Sequence, residues 1–394
     1  MNRDDTNGHA RVLMVMEGPY PPDRGGGAEA QVRTLTRAMH QRGIHVAVVA
    51  PLAEHAPQAE LAHVDGVPVF RLRYPRLRLI GGPALWLALA RFLYRHRDDF
   101  DVWHVHVARQ WGVICAWLGP WLGKRVVIKV SGSWDLDRGA LSPDSGWRGK
   151  LVRRVLMRAD AWQAISQRIA ATLLSRGVPQ ARIAAIPNAV DSARFLPPAR
   201  PSLHPPRFLF IGRLVREKGL PTLLAAFADI APRHPEATLT IVGTGSQRAN
   251  LEADVQALGI AERVTFTGHR TDIEDLLAQA TIGVLPSRME GLSNTLLECM
   301  ASGLPMVASR ISGNEDFVHP GENGWLFEVG DRNGLAASLL AAASLDPGQW
   351  RAMSESARAA VVRQAGLDGV LNKLVALYDD EPAPVAAAVP NRSV

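Results

Sequence analysis

The chain has 394 residues, room for two domains of ordinary size. Its 47% hydrophobic and 21% charged content exclude a disordered chain, and two cysteines in unrelated contexts, Cys115 and Cys299, exclude a disulfide framework and a metal cluster. The net charge of +6 is uneven: residues 1–197 carry 27 basic against 16 acidic side chains, and residues 198–394 carry 17 against 22.

The start, MNRDDTNGHARVLMVM, has no signal-type apolar region. The longest uncharged apolar run, Trp111–Gly123, is too short to span a bilayer. These features predict a soluble, cytoplasmic chain. Its basic first half carries no nucleic-acid motif, so an anionic membrane surface or an anionic acceptor is the expected partner and nucleic acid is not. A solvated arginine-rich surface is the plainer alternative.

Val12–Met16 reads as a buried strand, followed by a Pro/Gly loop from Gly18 to Gly27 and a helix from Ala28 with Val32, Leu35 and Met39 on one face. Val46–Ala50 is the next strand, which makes a Rossmann-like β-loop-α-β start. Val67–Arg71 is another strand. Arg76–Arg97 is apolar in the middle and basic at both ends, Trp111–Trp121 holds three tryptophans, and Trp147–Arg158 is a basic amphipathic helix. Eight of the ten tryptophans lie in the first half, a pattern suited to an interfacial membrane contact and also to ordinary sheet-covering helices. Asp101–Val107 is a strand with His104 and His106 on one face. No nearby carboxylate or cysteine pattern supports a metal site. Val126–Val130 precedes Ser131-Gly132-Ser133-Trp134-Asp135. Ala161–Ser166, a helix to Arg176 and Ile183–Asn188 follow.

Six prolines between Pro187 and Pro206 predict a stiff linker without regular structure. Arg207–Ile211 opens the second half, followed by Gly212-Arg213 and Lys218-Gly219 and a helix with Pro221 in its first turn. Two fixed cations at a helix start suit an anionic group. Thr238–Val242 leads to Gly243-Thr-Gly245, and Val264–Gly268 leads to His269-Arg270-Thr-Asp272. Ile282–Pro286 is a strand, Thr295–Ser302 a helix and Leu304–Ala308 a strand. Ser293 or Asn294 caps the helix and Gly303 closes it. Glu290 lies in the loop. Glu298 lies one turn beyond Asn294 among apolar neighbours, where a bare carboxylate is costly. A ribose could satisfy it, and so could a structural arginine. The amides from Leu292 to Thr295 suit a phosphate. Gly313–Glu315 and Gly321–Gly324 read as turns before a strand at Trp325–Phe327. Leu367, Val370, Leu371, Leu374 and Leu377 share a terminal helix face, and Glu381–Val394 reads as a disordered tail.

The spacing of Glu290 and Glu298 in SRMEGLSNTLLECMASGLP resembles the E-x7-E element of retaining GT-B glycosyltransferases of the family 4 type (glycosyl transferases group 1). GGGAE, DVWHVHV, IPNAVD, GRLVREKG, VGTG and GHRTD resemble further segments of the same family. The implied fold is α/β, GT-B, with two Rossmann-like domains facing across a cleft. Residues 1–190 would form the acceptor domain, 191–206 the linker, 207–365 the nucleotide-sugar donor domain and 366–380 a helix returning to the first domain. The implied reaction moves a hexose-type sugar from a nucleoside diphosphate sugar to a sugar or lipid-linked acceptor, with retention, in cell-surface polysaccharide or glycolipid synthesis. By resemblance Arg213, Lys218 and Glu290 are catalytic. Gly26, Gly27, Gly212, Gly243, Arg270, Leu292, Asn294, Thr295 and Glu298 bind the donor, and Ser131 and Asp135 lie on the acceptor side. No cofactor or metal is implied; the nucleotide sugar is a substrate. Ser131 departs from the family, most of whose members have histidine there, which leaves the sugar open. A nucleotide-sugar epimerase or phosphorylase, and a non-catalytic nucleotide-sugar-binding protein, are the alternative readings.

Overall fold

Val12–Val15 and Val46–Pro51 are buried along their whole length, as strands are when helices cover both faces of a parallel sheet. A computed structural model describes residues 8–21, 26–52, 59–75, 81–132, 141–142, 146–198 and 203–380. Two compact units result. Residues up to Pro187 together with those from Asp368 onward form the first, and Asn188–Leu367 forms the second.

The first unit runs β1 (Val12–Val15), α1 (Gly27–Gln41), β2 (Val46–Pro51), β3 (Leu61–Val64), β4 (Val67–Leu72) and α2 (Gly81–Arg95). It continues with β5 (Val102–Val105), α3 (Gln110–Leu118), β6 (Arg125–Val130), α4 (Gly146–Leu156), β7 (Ala161–Ala164), α5 (Gln167–Ser175) and β8 (Ile183–Ala185). Its eight strands lie in the order β3-β4-β2-β1-β5-β6-β7-β8, parallel except for β3, which is antiparallel to β4. The sequence reading missed β3: its residues alternate between exposed and half-buried, so no apolar run marks it.

The second unit runs β9 (Arg207–Ile211), α6 (Leu220–Ile230), β10 (Thr238–Val242), α7 (Arg248–Ala257), β11 (Val264–Gly268), α8 (Ile273–Gln279) and β12 (Ile282–Leu285). Then come α9 (Asn294–Ala301), β13 (Met306–Ser309), α10 (Asn314–Phe317), β14 (Gly324–Phe327), α11 (Arg332–Ala343) and α12 (Pro347–Ala365). The six strands are all parallel, in the order β11-β10-β9-β12-β13-β14. The expected turn at Gly313–Glu315 is instead the start of α10. Asn314 is buried, its Nδ2 donating to Ser309 O at 3.0 Å, and this tether holds the helical turn.

The last helix, α13 (Leu367–Tyr378), belongs to the first unit. Val370, Leu371, Leu374 and Leu377 are buried. Arg42 donates to Asp368 and Asn372, and Arg125 Nε to Leu377 O. Tyr378 lies with its hydroxyl 2.6 Å from His104 Nδ1. Residues 188–195, read as the end of the first domain and the start of the linker, are held by the second unit. Val190 N donates to Ala365 O, and Arg358 donates to Ser192 O and Phe195 O. The expected tail at 381–394 lies outside the described residues.

Candidate functional site

In the second sheet the strand order reverses between β9 and β12, and the loops leaving the carboxyl ends of such a pair form the natural ligand crevice of an open α/β sheet. Lys218 lies in the loop after β9 and Glu290 in the loop after β12. Lys218 Nζ is 2.7 Å from Glu290 Oε1 and 2.8 Å from Oε2, with both side chains mostly buried. Backbone contacts fix this pairing. Arg288 N donates to Glu217 O at 2.7 Å, and Gly219, at φ +67, passes so close to the end of β12 that a Cβ would lie 2.0 Å from Pro286 O. Only glycine fits there. Gly243 (φ +135) is equally constrained, because a Cβ would lie 1.9 Å from Gly212 O, and Gly212 N donates to Val242 O. The Arg213 side chain stands exposed on this frame with no hydrogen bond or ion pair among the described residues, while its carbonyl accepts from Val215 N.

The start of α9 lies beyond Glu290. Ser293 caps it in extended conformation, without a side-chain bond to the helix amides. Leu292 is buried, Asn294 and Thr295 half-buried. A side chain that the sequence reading did not include braces this turn: Asn188 Nδ2 donates to Asn294 Oδ1 at 2.9 Å and to Leu292 O at 3.2 Å. IPNAVD was visible as a motif, but nothing local to it says that its asparagine meets a helix more than a hundred residues away.

Glu298 follows one turn into α9. Part of it reaches the surface, yet burial pushes its carboxyl up to about 7, the nearby Arg194 guanidinium pulls it down and Glu274 raises it. Arg194 is not its ion-pair partner; Arg194 pairs with Glu274. The Glu298 carboxylate has no hydrogen bond or ion pair among the described residues. Of the two ways of satisfying this carboxylate, the structural arginine is therefore not the one seen. Arg194 and Glu274 were not anticipated, since neither stands in a recognisable pattern.

The remaining candidates are elsewhere. Arg270 is exposed and pairs with Asp272, its Nε 2.7 Å from Oδ1. Gly26, Gly27 and Ser131 belong to the first unit. Gly26 is the extended residue that starts α1, where a Cβ would lie 2.0 Å from Glu29 Oε2, and Gly27 is the first helical residue. Ser131 Oγ donates to His106 O at 3.2 Å. Asp135 lies outside the described residues. His104 and His106 are fully buried, and desolvation drives His104 down to about 3, so both are neutral packing groups at physiological pH.

The sequence profile described as "Glycosyl transferases group 1" matches residues 205–344, and that of "Glycosyltransferase Family 4" matches residues 25–194. The lipopolysaccharide core biosynthesis glycosyltransferase LpsE of Rhizobium meliloti is 36% identical over 151 residues, a match spanning 38% of this chain and 42% of that protein. The GDP-mannose-dependent alpha-(1-6)-phosphatidylinositol monomannoside mannosyltransferase of Mycolicibacterium smegmatis is 28% identical over 88% of this chain and 92% of its own length. The crystal structure of Anabaena HepE in complex with UDP-glucose superposes with a TM-score of 0.74 at 20% identity, covering 94% of this chain and 99% of that one. The fold is GT-B.

Proposed function

The chain belongs to the glycosyltransferases of the group 1, family 4 type, and we propose that it moves a hexose-type sugar from a nucleoside diphosphate sugar to a sugar or lipid-linked acceptor with retention of configuration, in cell-surface polysaccharide or glycolipid synthesis at the cytoplasmic face of a membrane. The donor class is supported by the UDP-glucose complex of HepE, and the donor and lipid acceptor by the GDP-mannose and phosphatidylinositol monomannoside of the mycobacterial relative. The observation that carries the reading is the Glu298 carboxylate, unpartnered among the described residues and one turn into a helix whose start adjoins the Lys218–Glu290 pair.

In this reading Glu298 accepts hydrogen bonds from the ribose hydroxyls. Arg213, Lys218 and the amides at Leu292–Thr295 take the diphosphate. Glu290 orients sugar hydroxyls, since a carboxylate that holds one lysine keeps lone pairs for further donors. The bond from the acceptor oxygen to the anomeric carbon forms on the face from which the diphosphate oxygen leaves. The acceptor proton passes to the departing phosphate, so no protein nucleophile is consumed. Gly26 and Gly27 give close backbone approach in the first unit, and Ser131 and Asp135 serve the acceptor. Arg270 stays beside the base-side loop.

A thermal-shift panel with UDP, GDP, ADP and CMP, repeated on Glu298→Gln, tests the assignment. One nucleotide should raise the melting temperature selectively, with the shift reduced in the variant. Equal shifts in both proteins would remove Glu298 from the donor site. Proton NMR of the product formed from the matching donor reads the anomeric configuration, and inversion would overturn the retaining step.

A further inference from the structure

Helices α2, α3 and α4 lie side by side on the first unit. The middle one packs against both neighbours, and Trp86 Nε1 on α2 donates to Gln110 Oε1 on α3 at 2.9 Å. Their outer surfaces are aromatic. Trp121, just past α3, is 74% exposed, Trp147 on α4 is 72% exposed and Leu87 on α2 is 71% exposed. Every exposed tryptophan among the described residues lies on this face, the others being Trp86 and Trp117. The spacing is that of outward stripes: Trp117 and Trp121 are one turn apart, and Trp147, Leu151 and Arg154 follow one another along α4.

The charges carried by the three helices have one sign. The sequences of α2, α3 and α4 contain no aspartate or glutamate. Arg91, Arg95, Arg148, Lys150 and Arg154 are exposed, whereas Arg153 turns inward to Leu141 O and Ser142 O. A second copy of the chain docking symmetrically would set these cations against themselves, which disfavours self-association. Tryptophan, with an apolar body and one N–H donor, is the side chain best suited to the boundary between lipid headgroups and acyl chains, and clustered Arg and Lys meet the phosphates there.

We propose that this three-helix face docks on an anionic lipid bilayer, with the indoles of Trp117, Trp121 and Trp147 at headgroup depth and the basic side chains around them against lipid phosphates. The inference deepens the membrane part of the proposed function and is independent of which sugar is transferred.

The test is flotation of the full chain with vesicles of phosphatidylcholine alone and of equal parts phosphatidylcholine and phosphatidylglycerol. The protein should float with the mixed vesicles only, with a blue shift of tryptophan emission, and flotation should fall as salt screens the charges. Each basic residue near an anionic surface contributes about fivefold to partitioning, so the pair Lys150→Gln with Arg154→Gln should lower the partition coefficient about 25-fold. The pair Trp121→Ser with Trp147→Ser should also shrink the blue shift to the part that Trp117 contributes. Leu174→Ser, which removes an exposed leucine on α5, a helix packed on β7 and β8, should float like the parent. Unchanged melting temperatures would show that the variants are folded. If the parent fails to float with anionic vesicles at low salt, the membrane reading itself is wrong, and an acidic protein becomes the better partner for the face. If the parent floats and both face variants float equally well, the membrane reading stands and this surface is not the one that docks.

Discussion

Glu298 links the chemistry of the site to its energetics. An ordinary glutamate titrates near 4.5, whereas burial moves Glu298 to about 7. Between these values the folded chain holds a proton that the unfolded chain has lost. The protonated carboxyl therefore contributes its stability fully below about pH 4.5, and that contribution declines as pH rises toward 7. The loss across the window is on the order of 3 kcal/mol. Glu298→Gln keeps the shape without the charge, so urea unfolding should show the variant gaining on the parent as pH rises from 5 to 8. Parallel profiles would show that Glu298 does not titrate in that range. In the proposed role the ionised carboxylate accepts from both ribose hydroxyls, so nucleotide affinity of the parent should weaken as pH falls below 7, by up to about tenfold per unit, while the variant binds weakly at every pH. Arg194 is exposed and tied to Glu274, so it lowers the charging cost of Glu298 without occupying its oxygens. That leaves the oxygens for a ligand.

At the scale of elements, the two loops after β9 and β12 are braced as one piece, by the Arg288–Glu217 backbone bond and by Gly219 against Pro286. The Lys218–Glu290 pair is thus positioned before any donor binds, which predicts different phenotypes for its two members. Lys218→Ala leaves the Glu290 carboxylate unpaired beside the proposed diphosphate site, and nucleotide affinity should fall together with kcat. Glu290→Gln frees Lys218 for phosphate, so affinity for the nucleoside diphosphate should stay within a few-fold while kcat drops by about 10²-fold or more. Calorimetry with the nucleoside diphosphate and steady-state kinetics separate the two cases, and equal loss of affinity in both variants would contradict the division of roles. Much of this region was legible in the sequence because local chemistry writes it: short apolar runs bounded by glycine and proline mark β9, β12 and β13, and Ser293 and Gly303 bracket α9, whose expected limits Thr295 and Ser302 each fall one residue from those seen. What could not be read was contact between distant segments. Asn188 braces α9 only because the chain after β8 lies along the second unit, and β3 is an edge strand whose exposed alternation looks like loop. Positions fixed by packing at long range leave no local periodicity to detect.

At the scale of the whole molecule, the first unit is discontinuous in sequence, because α13 joins it after the chain has completed the second unit. The face that α13 covers holds His104, whose Nδ1 lies 2.6 Å from the Tyr378 hydroxyl. Exposed to water, His104 and the apolar residues around it would lose both their packing and the hydroxyl of Tyr378. Leu374 is fully buried on the docked side of α13. Leu374→Ala should therefore destabilise the first unit by roughly 2–5 kcal/mol through the lost side chain and the cavity it leaves. The second unit has its own sheet and core, and Lys218, Glu290 and Glu298 of the proposed nucleotide site all belong to it. Hydrogen exchange on the full-length variant, read peptide by peptide, should show faster exchange in β1, β5 and β6, with β9 and β12 unchanged. Ligand-induced protection around Glu298 should survive. Uniform acceleration across both sheets would mean that the two units unfold as a single cooperative block. In that case α13 would stabilise the entire chain rather than close one unit of it.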